Sequence, residues 1–156
     1  MSTGEKQANS LSCFVCGVAN PVGLQLRFYS HGAEQVEAEY IVPEHYQGYP
    51  GLVHGGIVAA MLDEICARAL MTGENPRFMF TARLELRYRK NVPVGQPLRL
   101  LGRALKNKVH AATSHGAIYN AEGELLAEAE ALLVNIPADM LTSENAKLLG
   151  WRDYEE

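Results

Sequence analysis

The chain has 156 residues, 47% hydrophobic and 21% charged, which is enough for one domain whose core needs no disulfide or metal staple. The formal charge of -4 argues against a nucleic-acid surface, which needs clustered cations on a net basic domain, and leaves room for a local basic patch toward a phosphorylated ligand. No apolar run is long enough to cross a membrane, MSTGEKQANS lacks the apolar segment of a secretory signal, and the odd set Cys13, Cys16 and Cys66 points to free thiols in a reducing compartment. The sequence therefore reads as cytoplasmic, with neither membrane nor nucleic acid as a partner.

Residues 1–12 are polar and read as a flexible N-terminal segment. CFVCGVANPVG follows, marked by Gly and Pro. LQLRFYS and QVEAEYIVP then read as two extended stretches separated by HGAE, with Gly32 placed for a hairpin turn. Leu24, Leu26 and Phe28 recur at period two, as in a half-buried strand. HYQGYPGLVHGG is a glycine-punctuated loop. IVAAMLDEICARALM runs without Gly or Pro to Gly73 and is apolar almost all round, which predicts a buried helix. FMFTARLELRYRK alternates over residues 78–90 and reads as a long strand. NVPVGQP is a turn, and LRLLGRALKNKV, AATSHGAIYNAEG and ELLAEAEALLVNI supply further extended material. The last of these could pass for a helix on composition. Asn120 to Gly123 reads as a hairpin turn. The domain is expected to span residues 13–137, followed by a tail over 138–156 with a short helix capped by Thr142 or Ser143. The order of elements predicts an α+β layout: an antiparallel sheet of about five to six strands wrapped around one long buried helix. Such a sheet leaves an edge that a second copy commonly covers.

Two carboxylates sit on the predicted helix. Glu64 and Arg68 are four apart with the acid first, which suits a pair on one face. Asp63 has only Ala59, Ala60, Cys66 and Ala67 at three and four positions, so no local cation offsets its charge. It is either a helix-edge acid facing solvent or a group poised in a cleft. At the helix start, Gly55 and Gly56 carry no side chain, and the first-turn amides of any helix lack intrahelical acceptors. Bare backbone there either eases a tight loop into the helix or forms a donor site for a developing oxyanion. Gly55 and Asp63 are eight residues apart, about 12 Å along a helix axis. One reacting carbonyl can meet both only if they come from two subunits with helices running antiparallel, so a catalytic reading predicts a homodimer, or a tetramer built from such dimers.

YQGYPGLVHGGIVAAMLDEI, TARLELRYRKNVPVG and CFVCGVANPVGLQLRF together resemble the hotdog-fold thioesterase superfamily, in its PaaI-like and THEM4-like acyl-CoA thioesterases, over roughly residues 13 to 136. The most specific feature is His-Gly-Gly with an acid nine residues after the His. The resemblance implies a hotdog fold and hydrolysis of an acyl-CoA thioester, with coenzyme A entering as part of the substrate and no further cofactor. It places Asp63 as the catalytic carboxylate, acting as general base or as nucleophile. Gly55 and Gly56 fall on the oxyanion backbone, His54 on the His before it, and Thr81 on a hydroxyl that orients the attacking water. One PaaI branch has an Asn six residues before the His; Gly48 stands there instead, which favours the THEM4-like comparison.

Alternation puts Arg83, Arg87 and Arg89 on one face of the long strand with Thr81 and Glu85. This is either a solvated face or, with Arg87, Arg89 and Lys90, a holder for the phosphates of coenzyme A. Cys13-x-x-Cys16 stands without a second pair of ligands, and structural zinc takes four, so no metal is expected. Cys66 reads as core, and Trp151 as an anchor for the tail. A non-catalytic acyl-CoA-binding module on the same fold is the alternative to a hydrolase. A hydratase would need its acid and His together at one site.

Overall fold

The computed structural model describes residues 3–140 and 142–154. Its elements in chain order are β1 (Glu5–Lys6), β2 (Tyr29–His31), β3 (Gln35–Ile41), α1 (Gly55–Arg68), β4 (Met79–Tyr88), β5 (Pro97–Asn107), β6 (Ala111–Asn120), β7 (Leu125–Asn135) and α2 (Ser143–Leu149). The strands form one antiparallel sheet in the order β1-β2-β3-β5-β6-β7-β4. That is seven strands, against the five to six expected; the addition is the two-residue β1. The predicted tail helix is α2, which begins at Ser143 directly after Thr142.

α1 lies across the sheet and buries Val58, Met61, Leu62 and Ile65 against it. It can approach closely because three small residues face it in register. Gly102 pairs with Gly116, and Gly116 pairs with Ala129. A Cβ at Gly102 would stand 2.4 Å from the Ile65 carbonyl, and one at Gly116 2.8 Å from Ile65 Cγ2. These glycines are inside strands because the helix occupies the space a side chain would need. β7 carries Ala127, Ala129 and Ala131 inward, each nearly fully buried. It is a strand despite its helix-favouring composition, because ladder partners on both sides outweigh local propensity. Gly32 and Gly123 take positive φ of 70° and 80° at their turns, where glycine is the unstrained choice.

Two expectations change. Leu24, Leu26 and Phe28 are buried, but residues 24–28 form no sheet ladder. Two of their amides turn to the segment between Cys13 and Cys16 instead, with Leu24 N–H on the Phe14 carbonyl at 2.7 Å and Leu26 N–H on the Val15 carbonyl at 2.9 Å. Gln25, at φ 54°, interrupts the extended run. The segment read as flexible is bonded to the domain within its described part: Glu5 and Lys6 pair with Ser30 and Tyr29. Asn9, 1% exposed, donates through Nδ2 to the carbonyls of Cys16 at 2.7 Å and Leu26 at 2.8 Å. No helix among the described residues is long and apolar enough to cross a membrane.

Candidate active site

The loop before α1 is pinned at several points. Val53 N–H donates to the Val92 carbonyl at 2.8 Å and His54 N–H to Tyr46 at 3.0 Å. His54 is the N-cap, in extended backbone at φ -58° and ψ 136°. Its Nδ1 accepts the Gly56 N–H at 2.9 Å, so the neutral ring carries its proton on Nε2. The His54 carbonyl accepts from Ile57 at 2.9 Å and Val58 at 3.1 Å. Of the first-turn amides, only that of Gly55 has no acceptor among the described residues. The two amides expected to act together are thus in different states: Gly56 is capped and Gly55 is open. Gly48 packs on this His, since a Cβ there would lie 3.3 Å from His54 Cα. A side chain at 48 would press on His54 and require it to give by a few tenths of an ångström.

A cleft of about 570 Å³ opens at this helix start, with His54, Gly55, Tyr49, Tyr88, Lys90 and Asn91 among its walls. Tyr88, at the end of edge strand β4, donates its hydroxyl to the Gly55 carbonyl at 2.9 Å. The long strand and the helix tip are therefore tied together.

Asp63 lies two turns further along α1, half-buried, and accepts a hydrogen bond on Oδ1 from the Thr81 hydroxyl at 2.7 Å. Simple alternation had placed Thr81 with Arg83 and Glu85, away from the helix. The β4–β7 register instead shifts between Thr81 and Arg83. This bulge at Ala82 turns Thr81 to the helix side, where Leu84 and Leu86 also pack, while Arg83 keeps to the other face. A bulge that re-aims one side chain is a recurrent device beside functional groups. Cys66, three residues on from Asp63, is no nucleophile: burial pushes its thiol up to about 12.

The cations expected to act together are separated. Lys90 lines the helix-start cleft and pairs with Glu124. Arg87 lines a different, smaller hollow with Glu85, His115 and Glu128. Arg89 pairs with Glu128 at 3.0 Å. Within one chain, neither arginine belongs to the cleft that holds Gly55. Glu64 and Arg68 form the expected pair at 2.9 Å, but Arg68 is fully buried, which four-residue spacing alone does not foretell. Trp151 stands over that guanidinium at 4.6 Å and edge-on to Phe78 at 5.1 Å.

Solved structures share this architecture. A thioesterase superfamily protein matches at 30% identity and TM-score 0.73, with 78% of this chain covering 62% of that one. The chain thus spans less than two thirds of that relative's length. A Streptococcus mutans protein crystallised with acetyl-CoA matches at 18% identity and TM-score 0.64, covering 70% of this chain and 86% of its own. The E. coli PaaI protein of the phenylacetic acid degradation operon matches at 13% identity and TM-score 0.66, covering 73% and 81%. No curated protein matches the chain. The fold is the hotdog fold, one antiparallel sheet packed on one main helix. The sequence profile of the thioesterase superfamily matches residues 50–127, half of the chain, and this protein belongs to that superfamily.

Proposed function

We propose that the protein is an acyl-CoA thioesterase whose site is shared between two chains. The observation that carries this reading is the Thr81–Asp63 hydrogen bond of 2.7 Å on a half-buried helix face. Thr81 donates to Oδ1, which fixes the carboxylate and leaves Oδ2 to take a proton from water. The hydroxyl oxygen of Thr81 can accept from the same water and so orient it. The open Gly55 amide, at the positive end of α1, is the donor for the thioester oxygen, and His54 holds that helix tip through Gly56. Eight residues of helix separate Gly55 from Asp63, about 12 Å, so the donor and the acid that meet one carbonyl come from different chains. The exposed β4, a ten-residue edge strand, is the edge a second copy would cover.

In the reaction, the water oxygen adds to the thioester carbon as its proton passes to Asp63. The oxyanion rests on the partner's helix-start amide. Collapse of the intermediate breaks the C–S bond, the coenzyme A sulfur takes up a proton, and the free acid leaves. Direct attack by Asp63 would give a mixed anhydride that water then hydrolyses. Lys90, beside the Gly55 cleft, is the cation retained for coenzyme A phosphates; Arg87 and Arg89 are not in that cleft. A cytoplasmic location fits this substrate.

The test is thiol release from a panel of short, long and aromatic acyl-CoAs. Turnover of at least one is expected, reduced by about 100-fold or more in Asp63→Asn. Tight acyl-CoA binding without turnover would point to the non-catalytic binding module. Turnover unchanged in Asp63→Asn and Asp63→Ala would remove Asp63 from the chemistry.

A further inference from the structure

Behind α1, away from Asp63, the fold brings Cys13, Cys16 and Glu64 together: their ligand atoms all lie within 4.8 Å of one another. Two come from the N-terminal turn and the third from the helix, 48 residues beyond Cys16. Linear spacing could not reveal the third, and the expectation of no metal rested on that spacing.

The turn is shaped around the first sulfur. Val15 N–H donates to Cys13 Sγ at 3.4 Å, and the Cys16 amide is aimed at the same atom. Gly17 N–H closes the turn on the Cys13 carbonyl at 2.8 Å. A Cβ at Gly17 would stand 2.3 Å from that carbonyl oxygen, so the chain passes where only glycine fits. Two amides directed at one thiolate are the backbone arrangement that holds a sulfur ligand in place. The second sulfur, Cys16, is 1% exposed and 3.4 Å from Ser10 Oγ. The Glu64 side chain is 19% exposed, shares one oxygen, Oε1, with Arg68, and is hydrogen-bonded to the Cys16 side chain as well.

Charge decides what the cluster suits. Two thiolates and a carboxylate sum to -3. Arg68, fully buried against Phe28 and Trp151, supplies +1, and its Nη2 finds no acceptor among the described residues. A divalent cation brings the total to zero. Thiolate donors select a borderline-soft ion rather than magnesium or calcium. At a Zn–S length of about 2.3 Å, tetrahedral ligands stand up to about 3.8 Å apart, so the cluster need close by only about 1 Å.

We propose that Cys13, Cys16 and Glu64 form a zinc site with its fourth position open to water beside the half-exposed Cys13. Binding releases to solvent whatever protons the two sulfurs carry and forms two Zn–S bonds and one Zn–O bond, with no change of oxidation state. The site ties the N-terminal turn to the back of α1 and is separate from the Asp63 chemistry.

The experiment uses the full chain, reduced and freed of metal with a chelator, then titrated with Co²⁺ and Zn²⁺. One equivalent of Co²⁺ per chain should bind with a near-ultraviolet thiolate-to-cobalt band and visible bands of tetrahedral cobalt, and Zn²⁺ should displace it. Zn²⁺ should also slow iodoacetamide labelling of Cys13 by about 10-fold or more. Glu64→Gln should weaken Co²⁺ binding by at least about 10-fold, Cys13→Ser should lose it, and Cys66→Ala should leave it unchanged. Should the Cys13 or Glu64 variant fail to fold, the cobalt spectrum and thiol protection of the wild-type chain still decide. No thiolate band, no protection, or a Cys13–Cys16 disulfide that forms in air equally with and without Zn²⁺ would overturn the proposal. Unchanged affinity in a folded Glu64→Gln variant would overturn the role of the carboxylate.

Discussion

Asp63 and Glu64 are adjacent in the chain and live in opposite surroundings. Asp63 faces the open side of α1, among alanines, with one hydroxyl partner from the edge strand β4. Glu64 faces the covered side, beneath the N-terminal turn, and is paired with a fully buried arginine. About 100° of helix rotation separates neighbouring residues, and here that angle separates chemistry from scaffold. The covered acid has its cation four residues away, so folding completes it. The open acid has no cation three or four residues away on its helix, and its oxygen Oδ2 waits on what arrives from outside the chain.

Replacing each acid or its partner should break the contrast in different observables. The largest effect on rate is expected for Asp63→Ala, a loss of about 100- to 10,000-fold in kcat with the thermal melt unchanged; steady-state thiol release and calorimetry check both halves. The largest effect on stability is expected for Arg68→Ala. Removing one partner of a buried pair costs about 3–5 kcal/mol, to be read as a lower urea midpoint. Gly102→Val should be comparably damaging, because its side chain meets the Ile65 carbonyl rather than a movable group. Thr81→Ala should lower kcat by about 10-fold, and Thr81→Ser should keep most of it, since the hydroxyl and not the methyl contacts Asp63.

The thiols sharpen the same contrast through pH. In metal-free protein, the Cys16 S–H and nearby amides donate to Cys13 and hold it at about 6. Cys16, bonded to Cys13 and buried, is pushed up to about 12, and burial does the same to Cys66. The reactive form is the thiolate, so Cys13 labelling should rise with pH and level off above about 6, while the other two stay unlabelled at pH 8; mass spectrometry of labelled peptides reads this directly. The smallest effect is expected for Lys90→Ala, an increase in KM for acyl-CoA of about 2- to 5-fold, because this exposed ammonium already has Glu124 as a partner.

What could be read from the residues divides along the same line. α1 was legible because a long apolar run without Gly or Pro has few alternatives, and Glu64–Arg68 because four residues is a local distance on a helix. Asp63 stood out for what its neighbours lack. The turns at Gly32 and Gly123 were legible because their backbone conformations demand glycine. Interactions that depend on another element were not. Thr81 faces α1 only because β4 gains a residue against β7, and parity counted along one strand cannot register an insertion defined by its partner. Gly102, Gly116 and Ala129 form a trough only once three strands align. Leu24 to Phe28 have the period of a strand, but the amides of Leu24 and Leu26 are taken by the turn at Phe14 and Val15, a pairing set by the path of another segment. The capping of Gly56 by His54 depends on a ring orientation that the His-Gly-Gly motif does not specify.

The division of labour between chains can be tested by mixing two inactive variants. Gly55→Pro removes the one open amide, at the first helical position, where proline is favoured; His54 already has the extended backbone that proline requires of its predecessor. Asp63→Ala removes the acid. When the two variants are denatured, mixed in equal amounts and refolded, half of the dimers should be hybrids. Each hybrid carries one site with both groups intact, restoring roughly a quarter of wild-type acyl-CoA hydrolysis. A mixture as inactive as its components, with hybrid dimers present by native mass spectrometry, would contradict a site built from Asp63 of one chain and the helix-start amide of the other.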